Sequence, residues 1–256
     1  MKKVQREIFY VFSPFLRVFH WIMVASIIIL FVTGLLITKP AGILATEPTA
    51  TSMSVDLIRN IHFTVAYIFL AAFILKVYGF IINKGDRLFP HFWRGYFYAQ
   101  TVDVALHYMF LRNEHASYLR NPLARSSYVL LYVLVAIEFF TGFAMYLMTE
   151  PDAFSTQLFA WVNVVLGGEM ITHYVHHYVA WFIILFAIGH IYMVIRAEFM
   201  EGESEVSSMF AGTKILAHHP LDEDDVDPDE LDNADRLKRW TNVGEGISKI
   251  RNVGGN

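Results

Sequence analysis

The sequence contains no cysteine and little charge. The absence of cysteine among its 256 residues excludes a disulfide framework, thiolate clusters, a dithiol redox relay and covalent c-type haem attachment. Charged residues make up 17% of the chain, against about 25% in an ordinary soluble domain. Whole stretches of about 20 residues carry almost no charge, and this length crosses roughly 30 Å of hydrocarbon as a helix. These features exclude a soluble enzyme, a disordered protein and a disulfide-stapled secreted domain.

Four long apolar runs are present instead. They predict an all-α protein, a transmembrane four-helix bundle with spans at about 18–38, 61–82, 128–148 and 174–196. We assign residues 1–212 to this membrane domain and residues 213–256 to an acidic tail. The tail has nine Asp and Glu residues between Leu221 and Asp235, a composition typical of a solvated segment that either aids solubility or binds a partner.

The distribution of Lys and Arg predicts the orientation of the bundle. Seventeen of the 20 basic residues lie before the first span, between the second and third spans, or after the fourth. The first loop has two, and the loop at 149–173 has none. By the positive-inside rule, both termini are expected in the cytoplasm. Aromatic residues in the two longer connections favour short interfacial helices there.

Several of the 11 histidines lie inside the apolar runs. An ionisable residue in a bilayer is costly, so each such histidine is a candidate for an interhelical hydrogen bond, a proton relay, or a metal or haem ligand. His176 and His190 are 14 residues apart, which places them about 40° apart around a helix and about 21 Å apart along it. His177 is predicted to point elsewhere, about 140° from His190.

The predicted orientation pairs four histidines by depth. His62 and His176 fall near the external side, whereas His20 and His190 fall near the cytoplasmic side. Two imidazoles at the same depth suit the two axial positions of a b-type haem. The sequence therefore predicts two b-type haems in the bundle, each with a pair of histidine ligands to its iron.

Other polar residues near the spans remain open to two interpretations. Three cations near the expected depths of the haem propionates either pair with them or extend to the interface: Arg17, Arg59 and Lys76. Glu138 belongs either to a proton path or, protonated, to an interhelical hydrogen bond. A different class of function is a histidine-lined metal transporter, with a zinc-like external site at His173, His176 and His177.

The sequence resembles the cytochrome b subunit of membrane-bound nickel–iron hydrogenases over roughly residues 12–214. Lys76 stands where arginine is expected in those relatives, and the acidic tail is not part of their pattern. The formate dehydrogenase subunit is similar, but more loosely. The motifs that carry the resemblance follow in chain order: Arg17-x-x-His20-Trp21, Thr33-Gly34, Ile61-His62-Phe63, Asn121-Pro122-Leu123-Ala124, Thr141-Gly142-Phe143, His173-x-x-His176, Gly189-His190-Ile191-Tyr192-Met193 and Ser207-x-Met209-x-x-Gly212.

The resemblance implies an electron-transfer subunit in a bacterial inner membrane. Its expected partners are a small iron–sulfur subunit and a large nickel–iron subunit on the external side, membrane lipid and a quinone, with no nucleic acid. Electrons would pass from hydrogen through two haems to menaquinone or ubiquinone near the cytoplasmic face. The resemblance makes Asn121 a candidate quinone contact, and Asn121-Pro122 also suits the start of a helix. The equivalent subunit of a formate dehydrogenase or thiosulfate reductase is the alternative within this class.

Overall fold

The structure, a computed structural model, describes residues 7–39, 48–82, 90–113, 115–146, 151–152, 154–216 and 220–221. Within this part, the chain is mostly helical, with two short strands. The acidic cluster predicted for the tail begins at Asp222 and lies outside the described residues.

Four helices are long and apolar enough to cross a membrane. They are α1 (Pro14–Thr38), α2 (Pro48–Ile82), α4 (Pro122–Tyr146) and α6 (Glu169–Arg196). All four begin before the apolar runs that predicted them. Hydropathy marks only the part of a helix that suits hydrocarbon, whereas local capping determines where the helix begins. The predicted end of the third span, Met148, lies outside the described residues.

Two shorter helices occupy the connections where interfacial helices were expected. Helix α3 (Gly95–Tyr108) precedes α4, and α5 (Phe154–Leu166) precedes α6. Helix α5 contains no charged residue, and its Val164 side chain is 81% exposed. An uncharged helix with apolar side chains exposed is typical of a membrane interface.

One compact unit contains residues 1–17, 82–133 and 185–256. Strand β1 (Glu7–Tyr10) pairs antiparallel with β2 (Thr213–Leu216), so that Glu7 lies opposite Leu216. Strand β2 therefore lies within the segment assigned to the tail. A π-helical turn (Ala197–Glu201) follows α6, and α7 (Glu205–Ala211) leads into β2. A cluster of buried apolar side chains in this unit contains Val11, Phe12, Leu16, Leu119 and Leu216.

The second compact unit contains residues 18–81 and 134–184. Aromatic side chains join its helices. Phe63 of α2 packs edge-on against Tyr146 of α4, with ring centroids 4.6 Å apart, and Phe31 of α1 packs against Trp181 of α6 at 4.9 Å. Asn163 of α5 donates a hydrogen bond to the carbonyl of Ala144 in α4 at 3.0 Å. The four aromatic side chains of these contacts also line a cavity within the unit.

Candidate functional site

The second unit holds a cavity of about 510 Å³, within the range of about 300–1,000 Å³ usual for cofactor and ligand sites. Its wall is mostly aliphatic and aromatic. His62 and His176 both line it, so the structure brings together the two histidines that were predicted to pair on the external side. Glu138 and Arg59 also contribute to the wall.

Thr33 of α1 holds the ring of His62. Its Oγ1 lies 2.8 Å from His62 Nδ1 and 2.7 Å from the carbonyl oxygen of Ile29. A carbonyl can only accept, so the hydroxyl donates to Ile29 and accepts from Nδ1–H. This arrangement selects the tautomer with its proton on Nδ1 and leaves the lone pair on Nε2 for a ligand.

The same arrangement recurs at His176. Thr141 Oγ1 of α4 lies 2.9 Å from His176 Nδ1 and 2.7 Å from the carbonyl oxygen of Ile137. His176 Nδ1 also lies 2.9 Å from Glu138 Oε2, a contact that His62 does not have in the described structure. Both histidines thus direct their Nδ1 protons into the protein and keep Nε2 for coordination.

A glycine follows each of these threonines and makes room for the ring. A Cβ atom on Gly142 would lie 3.3 Å from His176 Cε1, and one on Gly34 would lie 3.5 Å from His62 Cε1. The Thr33-Gly34 and Thr141-Gly142 pairs are therefore equivalent supports, one for each histidine.

Most of the chain matches a known protein family. Residues 11–212 match the family described as prokaryotic cytochrome b561. The chain belongs to the prokaryotic cytochrome b561 family. The family is one of b-type cytochromes, so its cofactor is haem b.

Similar members of the cytochrome b561 family include named hydrogenase subunits. A probable Ni/Fe-hydrogenase B-type cytochrome subunit of Rhizobium leguminosarum bv. viciae is 31% identical over 221 residues, covering 84% of this chain and 92% of that protein. A protein of the same name from Cupriavidus necator is 32% identical over 214 residues, covering 81% and 87%. A probable Ni/Fe-hydrogenase 1 B-type cytochrome subunit of Escherichia coli (strain K12) is 28% identical over 217 residues, covering 79% and 89%. These relatives confirm the resemblance recognised from the sequence motifs.

The residues of the cavity fit a haem. Two imidazoles in the Nδ1–H tautomer are the donors that b-type haem iron requires, and the mostly apolar wall suits a flat macrocycle. Arg59 lines the same cavity and lies 3.6 Å from Asp56. Its side chain is 44% exposed, and its role as a propionate partner stays a prediction.

His173 and His177 also line this cavity, which corrects the expectation that His177 points elsewhere. Residues 173, 176 and 177 occupy one face of α6, because positions i, i+3 and i+4 of a helix are neighbours. The supporting contacts distinguish them: His177 Nε2 accepts a hydrogen bond from Trp181 Nε1 at 3.2 Å, whereas the hydrogen bonds of His176 involve Nδ1.

His20 and His190 lie in different units, and their pairing stays a prediction. The His20 ring packs edge-on against Trp21, with centroids 5.3 Å apart. The His190 ring stacks on Phe186 with centroids 6.1 Å apart, and His190 lines a second, smaller cavity.

Two of the candidate propionate partners have contacts of their own. Arg17 donates a hydrogen bond to the carbonyl of Phe210, which links the first motif to the last. The buried Lys76 places its Nζ 5.9 Å from the centroid of the Phe19 ring. The propionate roles of Arg17 and Lys76 remain predictions.

Asn121 begins α4 as a helix cap. Its Oδ1 accepts hydrogen bonds from the backbone N–H groups of Leu123 at 2.9 Å and Ala124 at 3.3 Å, as the Asn121-Pro122 pair suggested. The side chain also lines the second cavity, together with Tyr108 and His190. This cavity has about 50 Å³ of space, so a quinone ring requires neighbouring side chains to move.

Sequence reasoning missed a polar cluster in the first unit. Glu201 Oε1 lies 3.0 Å from His107 Nε2, and Glu201 Oε2 lies 3.1 Å from His115 Nε2. Arg196 Nη2 lies 3.0 Å from His107 Nε2. Four polar residues contact Glu201, and they lie at helix ends or in a connection: His107, Tyr108, His115 and Arg196. Their polar character was the only signal of the cluster in the sequence.

The carboxylate of Glu201 determines the electrostatics of this cluster. Burial alone lowers the pKa of His115, but its hydrogen bonds to Glu201 and to the Ala116 carbonyl outweigh burial and raise the pKa above 6.5. Burial and the neighbouring Glu201 raise the pKa of Tyr108 well above its usual value. His115 is therefore favoured in its charged form beside the carboxylate.

Proposed function

We propose that this chain is the membrane-anchoring cytochrome b subunit that carries electrons from an external nickel–iron hydrogenase through two b-type haems to the quinone pool. The observation that carries the proposal is the paired support of His62 and His176, in a family whose similar members are named Ni/Fe-hydrogenase B-type cytochrome subunits. When bound, haem b supplies a one-electron iron couple. The chain itself then contributes ligands, spacing and an apolar enclosure.

The support of the axial ligands is the main work of the cavity residues. Thr33 and Thr141 fix the tautomer and the orientation of each imidazole, so that Nε2 would be available to bind the iron of a haem. The aliphatic and aromatic wall keeps water from the cofactor. For the proposed inner haem, His20 and His190 are the ligands.

Copurification tests the partner. The gently solubilised complex should contain nickel and iron–sulfur subunits, and hydrogen should reduce its b-type haems. A partner that contains molybdenum or tungsten would instead assign the chain to a formate dehydrogenase or thiosulfate reductase. Absence of b-type bands from the reduced-minus-oxidised spectrum would contradict both assignments.

The structure does not favour the metal transporter. Among the described residues, His173, His176 and His177 do not bring three ligand atoms within 4.8 Å of one another. A shared zinc ion needs ligand atoms at about 2.0–2.1 Å from the metal, and hence close together.

We place the quinone near Asn121, on the side of the membrane where we expect the termini. The small cavity beside it is also lined by the hydroxyl-bearing residues Tyr108 and Tyr128. Because Asn121 Oδ1 caps α4, its amide Nδ2 is the group that can donate to a quinone oxygen. Quinone reduction there would take up protons from the cytoplasm, and hydrogen oxidation would release protons outside. Each elementary charge moved across the membrane would store about 2.3 kcal/mol per 100 mV of membrane potential.

Two substitutions distinguish the proposed contact of Asn121 with the quinone from its role as the cap of α4. Asn121→Asp keeps a cap oxygen and removes the amide donor, so quinone reduction should slow while haem reduction by the partner continues. Asn121→Ala should additionally destabilise the protein by about 0.5–2 kcal/mol. Unchanged quinone reduction in Asn121→Asp would exclude Asn121 from the site.

Orientation is tested by reporters fused to either terminus. A cytoplasmic fluorescent protein should be active at both ends, and periplasmic alkaline phosphatase should be inactive at both. An active phosphatase at either end would contradict the orientation that we infer from the basic residues.

A further inference from the structure

Glu138 is an acidic side chain in the middle of a membrane-length helix. Placing an ionisable group there is costly, so its contacts indicate its role. Glu138 lines the cavity, its side chain is 18% exposed, and its Oε2 lies 2.9 Å from His176 Nδ1. Its Oε1 is buried without a hydrogen-bond partner among the described residues. In the described part of the chain, the polar side chain that the carboxyl group contacts is His176.

The hydrogen bonds around His176 place a proton on its Nδ1. The Thr141 hydroxyl donates to the carbonyl of Ile137, so its oxygen accepts from His176 Nδ1–H. Glu138 Oε2 is a second oxygen beside this nitrogen, at the same distance of 2.9 Å. Among the described residues, the side-chain group that contacts His62 Nδ1 is the hydroxyl of Thr33. In this part of the chain, a carboxyl group therefore lies beside one histidine of the pair and not beside the other.

We propose that Glu138 is a positioning residue that holds His176 as an axial ligand and lowers the reduction potential of the haem bound there. This inference rests on the proposed function. A carboxyl oxygen 2.9 Å from Nδ1 makes the imidazole a more basic ligand through its negative charge, and a more basic ligand favours oxidised over reduced iron.

The proposed pair of haems provides an internal control. The ligands proposed for the inner haem are His20 and His190, whereas the contact of Glu138 is with His176. An effect transmitted through His176 changes one haem and leaves the other unchanged. A general loss of stability would alter both.

The experiment is a redox titration of the purified, haem-loaded complex carrying Glu138→Gln. Glutamine has nearly the same shape as glutamate and is a weaker acceptor for the Nδ1 proton. We expect two haems per chain, a higher midpoint potential for one haem and an unchanged potential for the other. The low-spin ferric electron paramagnetic resonance signal of the same haem should shift.

A matched control removes an acidic group elsewhere in the same unit. Glu169 is exposed at the start of α6, so Glu169→Gln should leave both potentials unchanged. Two haems with unchanged potentials and signals in Glu138→Gln would overturn the proposal. If Glu138→Gln retains a single haem, Glu138→Asp decides: return of the second haem supports a positioning carboxyl, and its continued absence contradicts one.

Failure of this inference differs from failure of the proposed function. If the unsubstituted protein lacks two b-type haems, the proposed function fails before any variant is made. If it has both haems and Glu138→Gln behaves like the unsubstituted protein, only the role of Glu138 fails.

Discussion

At the scale of single residues, the two threonine–glycine pairs explain how an apolar cavity holds two histidine rings in its wall. Each threonine uses its hydroxyl proton on its own helix and its oxygen on the histidine of another helix. Each following glycine leaves space at the ring. The sequence motifs contained both pairs, but the contact of Thr33 with His62 depends on how α1 packs against α2, which helical periodicity does not specify.

Gly142→Val tests this support. The added side chain would begin with a Cβ only 3.3 Å from His176 Cε1, and its branches would require the ring to move. We expect one of the two haems to be lost, measured as the haem-to-protein ratio. Gly95→Ala is the control, because a Cβ at Gly95 meets nothing within 4 Å. Full haem content in Gly142→Val would show that the ring position is not limiting.

At the scale of elements, the last motif of the sequence has a structural explanation. Gly212 ends α7 with a φ of 84°, and its carbonyl accepts hydrogen bonds from the N–H groups of Val11 at 2.9 Å and Phe12 at 3.2 Å. A Cβ there would lie 2.9 Å from the Phe12 carbonyl oxygen. The motif Ser207-x-Met209-x-x-Gly212 thus ends where α7 meets the segment that follows β1. Sequence spacing does not show this contact.

Gly212→Ala is expected to destabilise the protein. A left-handed conformation costs a residue with a Cβ about 1–2 kcal/mol, and the short contact with Phe12 adds to this. Thermal unfolding in detergent should occur at a lower temperature than in the unsubstituted protein. Because Gly212 lies outside the cavity, the protein that remains folded should keep its haem. An unchanged unfolding temperature would contradict the positive φ.

The cluster around Glu201 predicts a pH-dependent stability. The pKa of His115 is raised above 6.5 in the folded protein, so its stabilising contribution is fully present below about 6.5 and is lost as pH rises through the raised value. A hydrogen bond to a charged group contributes on the order of 1.5–3 kcal/mol.

The unfolding temperature, measured from below pH 6.5 to above the raised pKa of His115, checks the prediction. The unsubstituted protein should lose stability on the alkaline side, and His115→Gln should show a smaller dependence because glutamine does not titrate. The other ionisable groups in or near the cluster are His107, Arg196, Tyr108 and Glu203. Both proteins contain all four of them, so a difference between the two pH profiles reports on His115. Equal pH dependence in both proteins would exclude His115 as the titrating group.

At the scale of the whole molecule, apolar runs predicted the four long helices but not their ends. Helix α4 begins at Pro122 because Asn121 caps it, and the first strand pairs with a segment more than 200 residues away. Orientation and depth predicted that His62 and His176 lie close together, and both line the same cavity. The cluster around Glu201 was not predicted, because His107 and Glu201 are 94 residues apart and no periodic pattern connects them.

The central claim is that the histidines at two depths hold two b-type haems. The most direct test is the ratio of haem b to chain, with a redox titration, in the unsubstituted protein, His176→Ala and His177→Ala. We predict two haems in the unsubstituted protein and in His177→Ala, and one haem in His176→Ala. One haem in the unsubstituted protein, or loss of a haem from His177→Ala but not from His176→Ala, would contradict the account.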